Sequence, residues 1–166
     1  MSPLQTLLGE TSIIEEFIEK HCEFHCHATY NDKLYSLNID KGAHRNPKIG
    51  IYFFVVETAD GMDIMKVGKA DGEKGFYGRF GKYSGDLTKQ FEERKMDAPT
   101  LYYGFKSIRE RYRKDAKLSV YIHQMTTNAI NYHGISVENS FIRSFEKEMS
   151  QIATNEGNSM FLSKCA

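Results

Sequence analysis

Residues 50–83 read GIYFFVVETADGMDIMKVGKADGEKGFYGRFGKY, and this stretch decides how the rest of the chain is organised. Residues 49–56 form a dense run of aromatic and β-branched side chains, the types that fit a pleated, half-buried surface. A turn at Ala59-Asp60-Gly61 precedes a second apolar run over residues 62–67. Two such runs joined by a short link containing Asp-Gly predict an antiparallel hairpin. The second run breaks at Gly68, and a glycine-punctuated loop leads to Arg79 and Tyr83, which lie four residues apart and share a helix face. The spacing of Gly68, Gly72, Gly75 and Gly78 fits neither the Rossmann fingerprint nor the P-loop, so the loop is not read as a nucleotide cradle.

Upstream, residues 11–21 have a helical apolar stripe of Ile13, Ile14, Phe17 and Ile18. Thr11 or Ser12 is the candidate cap and Glu15 the capping-box acid. His21, Cys22, His25, Cys26 and His27 follow, side chains of the types that ligate zinc. His44 and Cys165 are the only remote partners of note, so an alternating strand with Phe24, Cys26 and Ala28 inward competes with a metal site. Residues 33–39 pair with that strand across Asn31-Asp32, and Asn46-Pro47 punctuates the chain before the central hairpin.

Downstream, residues 86–95 read as a helix, Asp97-Ala98-Pro99 as a stop and residues 100–106 as a strand. Ser107 then caps a basic helix, and residues 118–125 form a further strand. A polar connector with Gly134 leads to a helix over residues 136–154, which ends at Asn155-Glu156-Gly157-Asn158. The expected fold is a small α/β (α+β) domain whose mostly antiparallel sheet is flanked by helices. Residues 1–45 are a helix-plus-hairpin extension packed on a core domain of residues 46–166.

A chain of 166 residues fits one domain with a sizeable core. No apolar run reaches membrane-spanning length, the first residues lack the pattern of a secretory signal, and three cysteines make no disulfide framework. A cytoplasmic protein without membrane partners is expected. The net charge is zero, but residues 66–117 carry 14 Lys and Arg against 8 Asp and Glu. That basic middle presents a phosphate-attracting face, with Lys69, Lys82, Arg109 and Arg113 as its nucleic-acid contacts; a solvated helix face accounts equally well for any single charge.

On the last helix, Val137, Phe141, Ile142, Phe145, Met149, Ile152 and Ala153 cover one apolar arc. Glu148 falls among them and Glu146 at the margin. A carboxylate on a packed face needs a neutralising partner, and Mg²⁺ is bound by one or two carboxylates while keeping several waters. Glu148 is therefore the candidate metal ligand, Glu146 its fallback, and an ion pair with Arg79 the alternative without metal. In the hairpin, strict alternation turns Lys66 away from Met65 and Val67. There it either reaches solvent or points into a site beside Arg79, where desolvation and like charge would lower its pKa.

Gly50-Ile51-Tyr52 followed by Lys66-Val67-Gly68 resembles the paired signature of the GIY-YIG nucleases, with a lysine where the second tyrosine usually stands. An arginine shortly past the second motif and a glutamate on a late helix complete the pattern, here Arg79 and Glu148, so the resemblance spans residues 48–158. It implies a Mg²⁺-dependent endonuclease (Mn²⁺ being an alternative ion) that hydrolyses double-stranded DNA. Tyr52 lies close to the attacking water, Arg79 on the phosphate, and Tyr83 assists at phosphate or water. Lys66 is the candidate general base. The lysine replacement occurs in some restriction endonucleases of that family. The chain's compactness is similar to that of type II restriction enzymes and of phage or mobile-element nucleases, and a homodimer is expected because two nicks across a duplex are most simply made by two copies. Two rivals remain open: a catalytically inactive DNA-binding or regulatory module, and a zinc-stabilised interaction domain built on residues 21–27.

Overall fold

The computed structural model describes residues 12–45, 47–92, 97–113, 117–125, 131–132 and 135–163. The readings placed on Thr11, Asn46, residues 93–95 and 114–116, Gly134 and Cys165 lie outside these. The elements in chain order are α1 (Ile13–His21), β1 (Glu23–Asn31), β2 (Ser36–Asn38), β3 (Gly50–Thr58), β4 (Gly61–Ala70), α2 (Gly75–Ser84), α3 (Thr88–Glu92) and α4 (Asp97–Arg111). They continue with β5 (Leu118–Gln124), the short pair β6 (Asn131–Tyr132) and β7 (Ile135–Ser136), and α5 (Val137–Asn155).

The fold is α+β. Five antiparallel strands lie in the order β2-β1-β5-β3-β4, with the hairpin of β3 and β4 at one edge. Because β1 pairs with β5, the amino-terminal hairpin belongs to the same sheet as the central one. β3 is buried along most of its length, as its uninterrupted apolar run requires of a strand covered on both faces. On one face Tyr52, Phe54, Met65, Val120 and Ile122 pack against Phe76, Phe80 and Tyr83 of α2 and Leu101, Phe105 and Ile108 of α4. On the other, Ile51, Phe53, Val55, Ile64 and Val67 pack against Ile14 and Ile18 of α1 and Ile142, Met149 and Ala153 of α5.

Several local expectations are corrected. β4 runs through Gly68 to Ala70. Residues 100–106 belong to α4, which begins at Asp97. Pro99 falls in its first turn, where a missing N–H removes no hydrogen bond. Leu101, Phe105 and Ile108 recur at helical spacing, while Gly104 leaves room for Leu162 and Phe161 of the carboxy-terminal segment. Ser107 is mid-helix, its hydroxyl donating to the carbonyl of Tyr103 at 3.1 Å.

The amino end of α1 is capped from the far end of the chain. Ser12 accepts from the amide of Glu15 at 3.2 Å, but the carboxylate that takes the amides of Ile13 and Ile14 is Glu156, at 2.8 and 2.9 Å. Glu15 instead accepts from the amide of Met62 at 2.8 Å. In β1 a register irregularity between Phe24 and Cys26 leaves Phe24 exposed, while Cys26 and Ala28 face the core as expected.

Candidate active site on the edge strand

Edge strand β4 divides into two halves. Along the first, the carboxy-terminal segment closes the edge: the amides of Met160 and Leu162 donate to the carbonyls of Ile64 and Met65, both at 2.9 Å, and Asn158 Oδ1 accepts from the amide of Ile64 at 2.9 Å. A β-bulge then interrupts the pairing with β3, for Phe54 opposes Lys66 whereas Val55 opposes Ile64. The extra residue is Met65, and the bulge turns Met65 and Lys66 to the same side. Strict alternation, which set Lys66 opposite both neighbours, is thereby broken on its Met65 side. The Lys66 ammonium lies 5.8 Å from the centre of the Tyr83 ring.

Around that point the sequence-named residues gather. Tyr52 in β3 is 1% exposed and Tyr83 in α2 is 2% exposed, so neither ring is a surface feature. Their hydroxyls share a hydrogen bond of 2.8 Å across 31 residues of chain. Gly68 makes this pairing possible: a side chain there would start 2.2 Å from Tyr52 Cζ and 2.3 Å from its hydroxyl. Arg79, half-buried on α2, donates from Nε to the carbonyl of Lys69 at 3.2 Å, and among the described residues its terminal nitrogens make no hydrogen bond or ion pair. Lys69 is held by Asp71 at 2.7 Å.

The carboxylate that joins this group is Glu146. Burial raises its pKa above the ordinary 4.5, while Lys69, Lys66 and Arg79, in that order, pull it down and Asp71 opposes them. Glu146 therefore stands within electrostatic reach of all three cations, yet among the described residues it makes no hydrogen bond or ion pair. Glu148 is exposed. The inward placement expected of Glu148 is thus corrected in favour of its fallback. Among the described apolar residues on α5, Ile142, Met149 and Ala153 are buried in the core, while Phe141 is 64% exposed. At about 100° per residue, Glu146 lies about 40° from Ile142, the middle of that buried stripe, and Glu148 about 120°.

The remaining candidates are dispersed. Lys82 is exposed on α2, facing a cleft beside Arg79. Arg109 is engaged elsewhere, its guanidinium on Asp32 at 2.9 and 3.1 Å and over the ring of Tyr30 at 5.5 Å, on the β1–β2 side of the sheet. Arg113 is exposed beyond α4.

The histidine and cysteine cluster of residues 21–27 is split between the faces. Cys22 packs against the α1–α5 core and Cys26 against the α2–α4 core. Burial pushes the Cys22 thiol up to about 12 and raises that of Cys26, which disfavours the thiolates zinc requires. Among the described residues no group of three His, Cys, Asp or Glu side chains is placed to hold a metal ion. Asp71 is the site residue that sequence reading did not single out; its position two residues past Lys69 was the available signal.

Among the described residues no helix is long and apolar enough to cross a membrane. No protein-family model matches the chain, and neither the curated proteins nor the solved structures give a match.

Proposed function

We propose that the protein is a metal-dependent endonuclease of the GIY-YIG type that hydrolyses phosphodiester bonds in double-stranded DNA, with Glu146 as its metal ligand. The observation that carries this reading is Glu146 itself: a half-buried carboxylate among three cations, with no direct partner of its own among the described residues. A carboxylate in that state is costly without compensation, and a hard cation that keeps most of its waters is a fitting one. Magnesium or manganese held there would supply Lewis-acid stabilisation of charge on the phosphate and the leaving oxygen.

The chain's own residues supply the rest. Arg79, whose terminal nitrogens make no hydrogen bond or ion pair among the described residues, suits a bidentate grip on the scissile phosphate, and Lys69 adds a second positive charge. The Tyr52 and Tyr83 hydroxyls, linked at 2.8 Å, orient the attacking water and form a short path for its proton. Lys66, over the Tyr83 ring, takes that proton only as the neutral amine; as the ammonium it has no lone pair and instead adds positive charge beside the phosphate. Two copies acting on opposite strands would make a double-strand break, so a homodimer suits this reading.

The test is incubation of the protein with supercoiled plasmid, with and without Mg²⁺. Magnesium-dependent nicking that is lost in Lys66→Met, while duplex binding is retained, supports the reading. Salt-sensitive binding with no nicking in either ion would assign the fold to a non-catalytic DNA-binding module instead.

A further inference from the structure

The outer surface of α2 borders a cleft of about 680 Å³ whose walls include Lys41, Lys74, Tyr77, Arg79, Gly81 and Lys82. Four cations line it against two carboxylates, Asp71 and Glu73, and Asp71 is already taken by Lys69. Among the described residues the ammonium groups of Lys41, Lys74 and Lys82 make no hydrogen bond or ion pair. Their charges are therefore available to an anion.

The floor of the cleft is unusual in a different way. Glycine inside a helix costs about 1 kcal/mol relative to alanine, and α2 carries Gly78 and Gly81 besides Gly75 at its start. Packing accounts for several of the described glycines: an added Cβ would lie 2.2 Å from the Tyr52 ring at Gly68, 2.4 Å from Leu162 at Gly104, 2.1 Å from the Lys48 carbonyl at Gly75 and 2.6 Å from Lys74 Cβ at Gly78, whereas at Gly72, Gly85 and Gly157, outside the helices, it would meet nothing within 4 Å. At Gly81 it would meet only Lys41 Cδ, at 3.9 Å. Nothing inside the described protein requires Gly81 to lack a side chain, whereas a ligand lying close against the helix would.

We propose that this cleft is the track for the DNA backbone leading to the active site, with Lys41, Lys74 and Lys82 on successive phosphates and Gly81 admitting the strand to the helix surface. The inference rests on the nuclease reading for its ligand class and adds the path the substrate takes. A helix of ten residues is about 15 Å long, which spans about four phosphates at about 3.4 Å of axial rise each. Arg79 belongs both to the cleft and to the cations around Glu146, so a strand lying along α2 brings its next phosphate to the candidate metal ligand.

Binding of a fluorescein-labelled duplex of about 20 base pairs, in EDTA and over a salt series, tests this. Lys41→Ala, Lys74→Ala and Lys82→Ala should each weaken binding and lower the salt slope by about one. Gly81→Leu should weaken binding about tenfold or more while the melting temperature stays level or rises, because leucine is the better helix former. A Gly81→Leu protein that binds the duplex like the wild type, or lysine variants with an unchanged salt slope, overturns the track. If the wild type nicks plasmid and these variants bind normally, the nuclease reading stands and the track fails. If no nicking occurs yet the variants lose binding, the track stands and the nuclease reading fails.

Discussion

The two halves of β4 belong to one strand, yet they treat polar groups in opposite ways. In the first half Asp63 accepts from the amide of Ser159 at 2.8 Å, from the Ser159 hydroxyl and the Tyr112 hydroxyl at 2.5 Å each, and faces Arg111 at 3.9 Å. Nearby, Glu156 takes backbone amides on both oxygens and Glu15 takes one. Beyond the bulge and among the described residues, Lys66 and Arg79 have no carboxylate partner and Glu146 has no hydrogen bond or ion pair. A closed network is how a fold secures its own edge. An open one, held half-buried at a strand bulge, is the arrangement on which the proposed metal and phosphate site rests.

This contrast can be broken most sharply by exchanging the behaviour of the two halves. Asp63→Ala leaves several part-buried donors without an acceptor and should destabilise the protein by about 1–3 kcal/mol in urea unfolding. Gly68→Ala should come next, at about 1–3 kcal/mol in the same assay, because the new methyl must push Tyr52 off Tyr83. Glu156→Ala, which uncaps α1, should cost about 1–2 kcal/mol. Removing the carboxylate of the open half should do the reverse. Its pKa is raised by burial, so the folded protein holds this proton more tightly than the unfolded chain. Stability then falls as pH rises through the window that opens at the ordinary 4.5 and closes at the raised folded value. Glu146→Gln should therefore melt no lower than the wild type at pH 7 in metal-free buffer, and should flatten that part of the pH profile. Magnesium should raise the melting temperature of the wild type and leave that of Glu146→Gln unmoved.

Much of the fold was legible in the sequence because it depends on local pattern. The central hairpin, β5, the helices at both ends and the break at Gly157 follow from periodicity and turn chemistry alone. What was not legible depends on contacts between distant residues. Tyr102 and Tyr103 made residues 100–106 look like a strand, and only the packing of Leu101, Phe105 and Ile108 onto the sheet settles a helix. Glu15 matched a capping box, but tertiary structure delivered Glu156 to the helix end instead. The bulge at Met65 has no sequence mark, and it decides which way Lys66 points. The choice between Glu146 and Glu148 failed because every apolar residue on α5 was weighted alike, although Phe141 faces solvent. Residue types for the site were readable; their facing was not.

The most direct measurement compares Glu146→Gln with Glu148→Gln in magnesium-dependent nicking of supercoiled plasmid, with both proteins checked for an unchanged fold by circular dichroism. The account predicts a loss of about a hundredfold or more for Glu146→Gln and wild-type cleavage for Glu148→Gln. Full activity in Glu146→Gln, or loss confined to Glu148→Gln, would contradict the placement of the site at the open half of β4.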